Sequence, residues 1–290
     1  MPSKAGPVPV SCAMPEAICR SRISAIGAAA AEALCMTSGR TAPLPDFPDA
    51  PYRLAGTEIV WLGQTGPMHP RAVFVDATLA DTALADTVLS FASIRPWTAP
   101  VVRLAARDAE AFGRSLAALL PALAAAAPAS GVAPLLRGQA PGFPLAARHG
   151  ACLQLARSAR SGDADMFVQA ASRLLGAGIG LTPSGDDFVG AALFTLRAID
   201  PDNPRWRAAA VELVQCARVR SHAIGAALFS DLAHGKSFAA LHAVFMAKPE
   251  DARAFAQATC ALGAIGHSSG WDMLAGIVAA GAGRADFSAA

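Results

Sequence analysis

Two adjacent aspartates, Asp186 and Asp187, follow Thr182, Pro183, Ser184 and Gly185 and lead directly into the apolar run FVGAALF. Hydroxyls, carboxylates and closely spaced glycines at the start of a helix can grip a small polar molecule. Free backbone N–H groups and the positive end of the helix dipole favour an anion there, and residues without bulk let it approach the main chain. Gly178 and Gly180 belong to the same stretch, GIGLTPSGDDFVGAALF. The competing chemistry is local, because Ser184 followed three residues later by Asp187 matches an N-terminal capping box.

The stretch has an echo. In GAIGHSSGWDMLAGIVA, an offset of 85 residues (269 minus 184) sets Ser269 on Ser184, Gly270 on Gly185, Asp272 on Asp187 and Gly263 on Gly178. Chance and plain capping both produce short glycine-rich matches in an alanine-rich chain; two related helix entrances facing one cleft produce them as well. Asp187 and Asp272 recur at the capping-box position and are read first as caps. Asp186 falls opposite Trp271, so capping does not require it, and it is expected to meet substrate, a metal, or an amide or ammonium donor. His267, set between glycine and serine, suits a proton carrier.

Asp186 and His267 are therefore the candidate catalytic pair. The candidate substrate-binding set is Gly178, Gly180, Thr182, Ser184, Gly185, Asp187, Ser268, Ser269, Gly270 and Asp272, with Arg218 and Ser221 as a further polar cluster able to clamp a carboxylate or phosphate. His234, before Gly235, reads as a helix C-terminal residue with a structural role. No G-x-S-x-G elbow follows a strand, which argues against a serine hydrolase. Adjacent carboxylates on a helix diverge by about 100°, and no metal-binding spacing accompanies them. No cofactor is expected, with magnesium as the alternative.

These residues need elements to hold them. Apolar positions three and four apart in DADMFVQAASRLL, PRWRAAAVELVQCARV, SHAIGAALFSDLA and DARAFAQATCALG predict helices. TEIVWLG and RAVFVDA read as short strands, joined through QTGPMHP as a hairpin loop, and APVVRLAA as a third strand. AIGAAAAEALCM reads as a short amphipathic helix, and the proline-rich residues 40–53 as a connector. The expected layout is α+β: residues 1–50 as helix and connector, 51–106 as a small β-containing region, and 107–290 as a helical domain carrying the glycine-rich motifs.

Bulk properties fit that reading. The chain has 290 residues, 53% of them apolar, enough for a sizeable core. Its 24 basic and 22 acidic residues create no global field for nucleic acid or an anionic membrane. Six scattered cysteines, with no CxxC pair, read as reduced thiols in a cytoplasmic protein. The uncharged run Ser115 to Leu136 approaches membrane-span length, but Pro121, Pro128, Gly131 and Pro134 are expected to interrupt it, so no membrane partner is expected.

GIGLTPSGDDFVGAALF, RSHAIGAALFSDLAHG and GHSSGWDMLAGIVA, in this order, resemble the signature of the domain-of-unknown-function 2877 family, which includes the AllH-type subunit of oxamate carbamoyltransferase of allantoin degradation. GPMHPRAVFVD is a further, shorter match. The resemblance implies participation in carbamoyl transfer between carbamoyl phosphate and oxamate, giving oxalurate and phosphate, run in reverse in purine catabolism. It implies a small anionic substrate and, as partners, the other subunits of the enzyme; it carries no catalytic residue onto this chain. Two departures bear on substrate identity: Ser221 is followed by His222, and a histidine stands at position 267. The alternative is a noncatalytic subunit that binds a metabolite or scaffolds an active partner.

Overall fold

A computed structural model describes residues 20–75, 88–90 and 94–282. The architecture is α+β: a small N-terminal sheet stands against a larger helical body. Six short strands run in the order β2-β3-β4-β5-β1-β6, with β1 at Arg20–Ile26, β2 at Ala42–Pro43, β3 at Tyr52–Ala55, β4 at Glu58–Gly63, β5 at Ala72–Val75 and β6 at Val88–Ser90. Helix α1, Ala28–Met36, covers the sheet and buries Ala30 and Leu34 against Ile23, Val60 and Val73.

Four expectations about this part need correcting. The helix read from AIGAAAAEALCM begins only after Gly27, since Ala25 and Ile26 belong to strand β1 and pair with β5. The residues before the helix thus form an inner strand that alanine content disguised. The hairpin lies elsewhere than expected: β3 and β4 are antiparallel around Gly56, at φ 64°, whereas β4 and β5 are parallel. Pro67 and Pro70 favour extended backbone, so the connecting segment runs back along the sheet instead of turning tightly. APVVRLAA forms no strand; Leu104 N–H donates to Ala198 O and ties that segment to the helical body.

The fourth correction concerns Pro121, which sits inside α2, Ala106–Ala126, without breaking it. Both Pro121 and Ala117, whose carbonyl loses its partner, are exposed, so water can satisfy the freed group. Among the described helices α2 alone is long and apolar enough to cross a membrane by length and composition. It contributes Phe112, Leu116 and Leu123 to the core. The chain leaves it through Pro128 and a short 3-10 turn at Ala133–Arg137.

The helical body continues with α3, His149–Ser161, α4, Ala164–Leu174, α5, Ser184–Ile199, α6, Pro204–Arg220, α7, Ala223–Ala233, α8, Ala239–Met246, α9, Ala252–Gly263, and α10, Ser269–Gly281. At its centre α5 is buried on every side from Ser184 to Leu196, as an apolar helix without a polar stripe must be. Its main neighbour is α10, where Gly276 lets the two backbones meet: a Cβ there would collide with Phe188 O.

Two contacts lock the sheet onto the helices. Leu44, Tyr52 and Ile59 pack with Ile224 and Leu228 of α7. Beside them Arg71 grips Asp231 bidentately, Nε to Oδ2 at 2.7 Å and Nη2 to Oδ1 at 3.0 Å, and reaches Glu58 at 3.0 Å. Arg71 and Asp231 are both buried, so each is the other's main compensation for lost water.

Candidate functional site

The starts of α5 and α10 meet. Thr182 Oγ1 and Ser269 Oγ lie 2.6 Å apart, and the two entrances share a cleft of about 440 Å³ with residues of strands β3 and β4. Thr182, Ser184, Ser268 and Ser269 supply its hydroxyl wall, Gly180 exposes backbone, and His267 stands exposed at its side. Opposite are Tyr52, Trp61, Phe143 and Phe238. Helix starts bring partial positive charge, although Gly185 and Gly270 N–H are already spent on Ala177 O and Ile265 O, so small polar groups are favoured on the hydroxyl wall and flat apolar surface on the other.

The capping reading of the two aspartates does not hold. Helix α5 is capped by Pro183 and α10 by Ser268, neither with a side-chain cap bond. Ser184 and Ser269 are thus the first helical residues, and Asp187 and Asp272, one turn further in, are beyond a capping box's reach. Their side chains cross between helices instead. Ser269 and Thr182 lie by Asp187, Ser184 and Ser268 lie by Asp272, and Val132 N–H donates to Asp272 Oδ1 at 2.6 Å. Each repeated serine therefore serves the aspartate of the other helix, so the sequence echo corresponds to a reciprocal pairing in space. Gly131, at φ 61°, brings the loop onto Asp272 so closely that any Cβ there would strike the carboxylate.

Both aspartates are buried, and Asp187 Oδ2 and Asp272 Oδ2 have no well-aligned hydrogen bond. Burial pushes the Asp187 carboxyl well above the usual range, and the neighbouring Asp272 charge adds to the effect. Burial likewise raises Asp272 to about 6, held back chiefly by the Val132 N–H. Two like charges this close titrate as a pair, and the pair keeps a proton more readily than separate carboxylates would.

Asp186 takes a different place. Its Oδ1 accepts from Gly176 N–H at 2.7 Å and its Oδ2 from the Ser221 hydroxyl, tying the turn after α4 to the junction of α6 and α7. It is buried, does not line the cleft, and is not brought together with His267. Ser221 is part of the same staple. Arg218 is exposed, donates to Gln215 at 3.4 Å and is not among the described residues that line the cleft.

The glycines also divide. Gly180 lines the cleft, whereas Gly185 and Gly270 are packed where a Cβ would collide with Leu174 O and Leu262 O respectively. Their smallness serves the fit of each helix start onto the preceding helix end. Gly178, at φ 148°, backs onto Ser184 N. His222 accepts Gly225 N–H through Nδ1 at 3.3 Å and approaches Gly180 O at 3.2 Å, bracing the glycine stretch from behind. His234 ends α7, with Nδ1 2.7 Å from Ser230 O, as its position before Gly235 suggested.

Sequence reasoning missed His69. It lines the cleft with 3% of its surface exposed, and its Nδ1 has no partner. Burial lowers its pKa to about 3, aided by the Arg71 charge, so the ring is a neutral imidazole. Trp61 and Phe238 hold it edge-on, with centroids 6.2 and 5.0 Å away. The His-Pro step of GPMHPRAVFVD was the available signal, but it reads as loop punctuation until the aromatic neighbours are known. Tyr52, also on the cleft, has its phenol pKa raised by burial and by Asp187.

Among the described residues no group of three or more His, Cys, Asp or Glu side chains is placed to hold a metal ion. The four described cysteines, Cys35, Cys152, Cys216 and Cys260, are free thiols.

The segment that builds the hydroxyl wall and the crossed aspartates is also the one with a recognisable relative. Residues 174–281 match the family model described as oxamate carbamoyltransferase subunit AllH. No curated protein and no solved structure matches the chain. The AllH-like segment runs from the end of α4 to the end of α10 and so takes in both helix entrances, the Asp186 staple and the Asp231 that holds Arg71. That family's name is of a subunit of oxamate carbamoyltransferase, which implies further subunits beside it in that enzyme. Tyr52 and Trp61 of the sheet and His69 of the segment between β4 and β5, which close the cleft, lie outside the matched segment.

Proposed function

We propose that this chain is a subunit of an oxamate carbamoyltransferase-type enzyme and that the cleft between the α5 and α10 starts holds its small polar metabolite. One observation carries the reading: the AllH-like segment contains both helix entrances and the hydroxyl wall of Thr182, Ser184, Ser268 and Ser269. In the reaction, the carbamoyl carbon leaves the phosphate oxygen of carbamoyl phosphate and bonds to the oxamate nitrogen, which gives up a proton. The catabolic direction returns oxalurate and phosphate to oxamate and carbamoyl phosphate.

The chain's own residues suit positioning more than bond making. The positive ends of the two helix dipoles can favour a carboxylate or a polarised carbonyl, as charge placed ahead of the reaction does. Thr182 and Ser269 can fix the orientation of a planar ligand, with Tyr52 and Trp61 excluding water from its face. His267, exposed at the side of the cleft, can carry a proton to solvent. Asp186 acts at one remove, by fixing the glycine stretch that shapes the wall.

Thermal unfolding of the full chain with oxamate, oxalurate, carbamoyl phosphate or phosphate tests the proposal, since a ligand that binds the native state raises the midpoint. A rise with oxamate or oxalurate that disappears in Thr182→Val is the expected result. No response to any of the four, or a response that Thr182→Val leaves intact, would remove the cleft from the reading.

A further inference from the structure

The cleft has a polarity that the reaction as a whole does not require. Among the described residues that line it there is no lysine or arginine, although phosphate sites usually recruit such cations. Behind its hydroxyl wall are the two buried aspartates, Asp187 and Asp272, so the nearest formal charge is negative. Each Ser or Thr hydroxyl has one proton and rotates to suit its neighbours, and an ionised carboxylate only accepts. Ser184 and Ser268 lie by Asp272, whose carboxylate, when ionised, draws their protons inward. Thr182 and Ser269 bond each other and lie by Asp187. Along Thr182, Ser184, Ser268 and Ser269 the wall consequently presents lone pairs to the cleft.

We propose that this wall makes the cleft a charge and donor filter: it takes a small planar molecule that offers N–H groups and carries no more than one negative charge, and it turns dianions away. The inference rests on the cleft being a metabolite site, and it divides the labour of the assembly. The amide-bearing reactant sits in this chain, and the phosphoryl group, with its two charges, is held by residues of another subunit. Asp187 and Asp272 are then specificity-determining residues that act through the serines without touching the ligand.

A series of near-constant shape and rising charge tests this with the full chain: oxamide, neutral with two amides; oxamate, one amide and one charge; and oxalate, no amide and two charges. Calorimetric titration at pH 7.5 should show oxamate or oxamide binding at least about tenfold more tightly than oxalate, a gap of about 1.4 kcal/mol. Inorganic phosphate should not displace the bound amide. Oxalate or phosphate binding as tightly as oxamate would overturn the filter while leaving a metabolite site in place; silence from the whole series would overturn both. Asp272→Asn keeps an acceptor for Val132 N–H and removes a charge, so it should narrow the oxamate-to-oxalate ratio. A ratio unchanged in a variant that still binds oxamate would take the aspartates out of the mechanism.

Discussion

Thr182 Oγ1 and Ser269 Oγ are 2.6 Å apart although 87 residues separate them in the chain. This contact joins two helix starts that repeat one another in sequence, and it forms the centre of the cleft wall. A short bond between two hydroxyls beside a buried carboxylate belongs to a network in which each proton has an assigned place.

That assignment predicts coupling. Thr182→Val and Ser269→Ala should each lower stability by about 1 kcal/mol, and the double variant should lose less than the sum, because the second change removes a bond already broken. Urea denaturation of the four proteins closes the cycle. Strict additivity would mean that the two hydroxyls do not interact.

The crossed aspartates predict a pH dependence with a definite sign. The folded-state pKa of Asp272, about 6, lies above its ordinary 3.8, so the folded form holds the proton more tightly. Stability from this group is fully present below the unfolded pKa near 3.8 and is lost as pH rises through about 6. Asp272→Asn should therefore gain on the wild type as pH rises from 4 to 7.5, by roughly 1 to 3 kcal/mol. Parallel stability curves for the two proteins across that range would contradict the raised pKa.

His69 predicts the opposite slope on the acid side. Its pKa falls from 6.5 to about 3 in the fold, so the unfolded chain takes up the proton first. The native state loses stability through this group as pH drops below 6.5 and continues to lose it toward 3. Nitrogen-detected NMR at pH 5 should find the His69 ring neutral; an imidazolium signal there would refute its placement. His69→Asn should flatten the acid limb of the stability curve.

Arg71 predicts an asymmetry between single and double changes. Removing the guanidinium in Arg71→Ala leaves the buried Asp231 uncompensated and should cost about 3 to 5 kcal/mol, whereas Glu58→Gln, at an exposed partner, should cost less than about 1 kcal/mol. Pairing Arg71→Met with Asp231→Leu should recover much of the loss. Thermal melts of the three variants decide it, and a double variant worse than Arg71→Ala would indicate that the ion pair itself drives docking of the sheet.

The helices were legible because their apolar spacing is regular, and α5 and α10 were legible twice over, since the repeat marked their starts. The strands were half legible. Glu58–Gly63 and Ala72–Val75 carry the β-branched and aromatic texture expected of them, but their parallel pairing depends on the path of Pro67 and Pro70, which local sequence does not state. At the site, Thr182 and Ser269 could be found from the echo. The partners of Asp186, Asp187 and Asp272 could not, because a capping box and a carboxylate crossing to another helix look alike in one dimension, and a one-residue shift in the helix start decides between them. His69 was hidden for a different reason: its pocket is made by aromatic residues from elsewhere in the chain.

The reciprocal pairing of α5 and α10 has a consequence for biosynthesis. Half of the wall belongs to the last described helix, and Ser184 finds its aspartate only when Asp272 arrives. A ribosome-bound chain that has exposed α5 but not yet Gly281 holds a polar, buried-type sequence with no counterpart. Assembly of the wall must therefore await the synthesis of α10, and shortening the chain into α10 would dismantle the wall without touching any residue of the sheet.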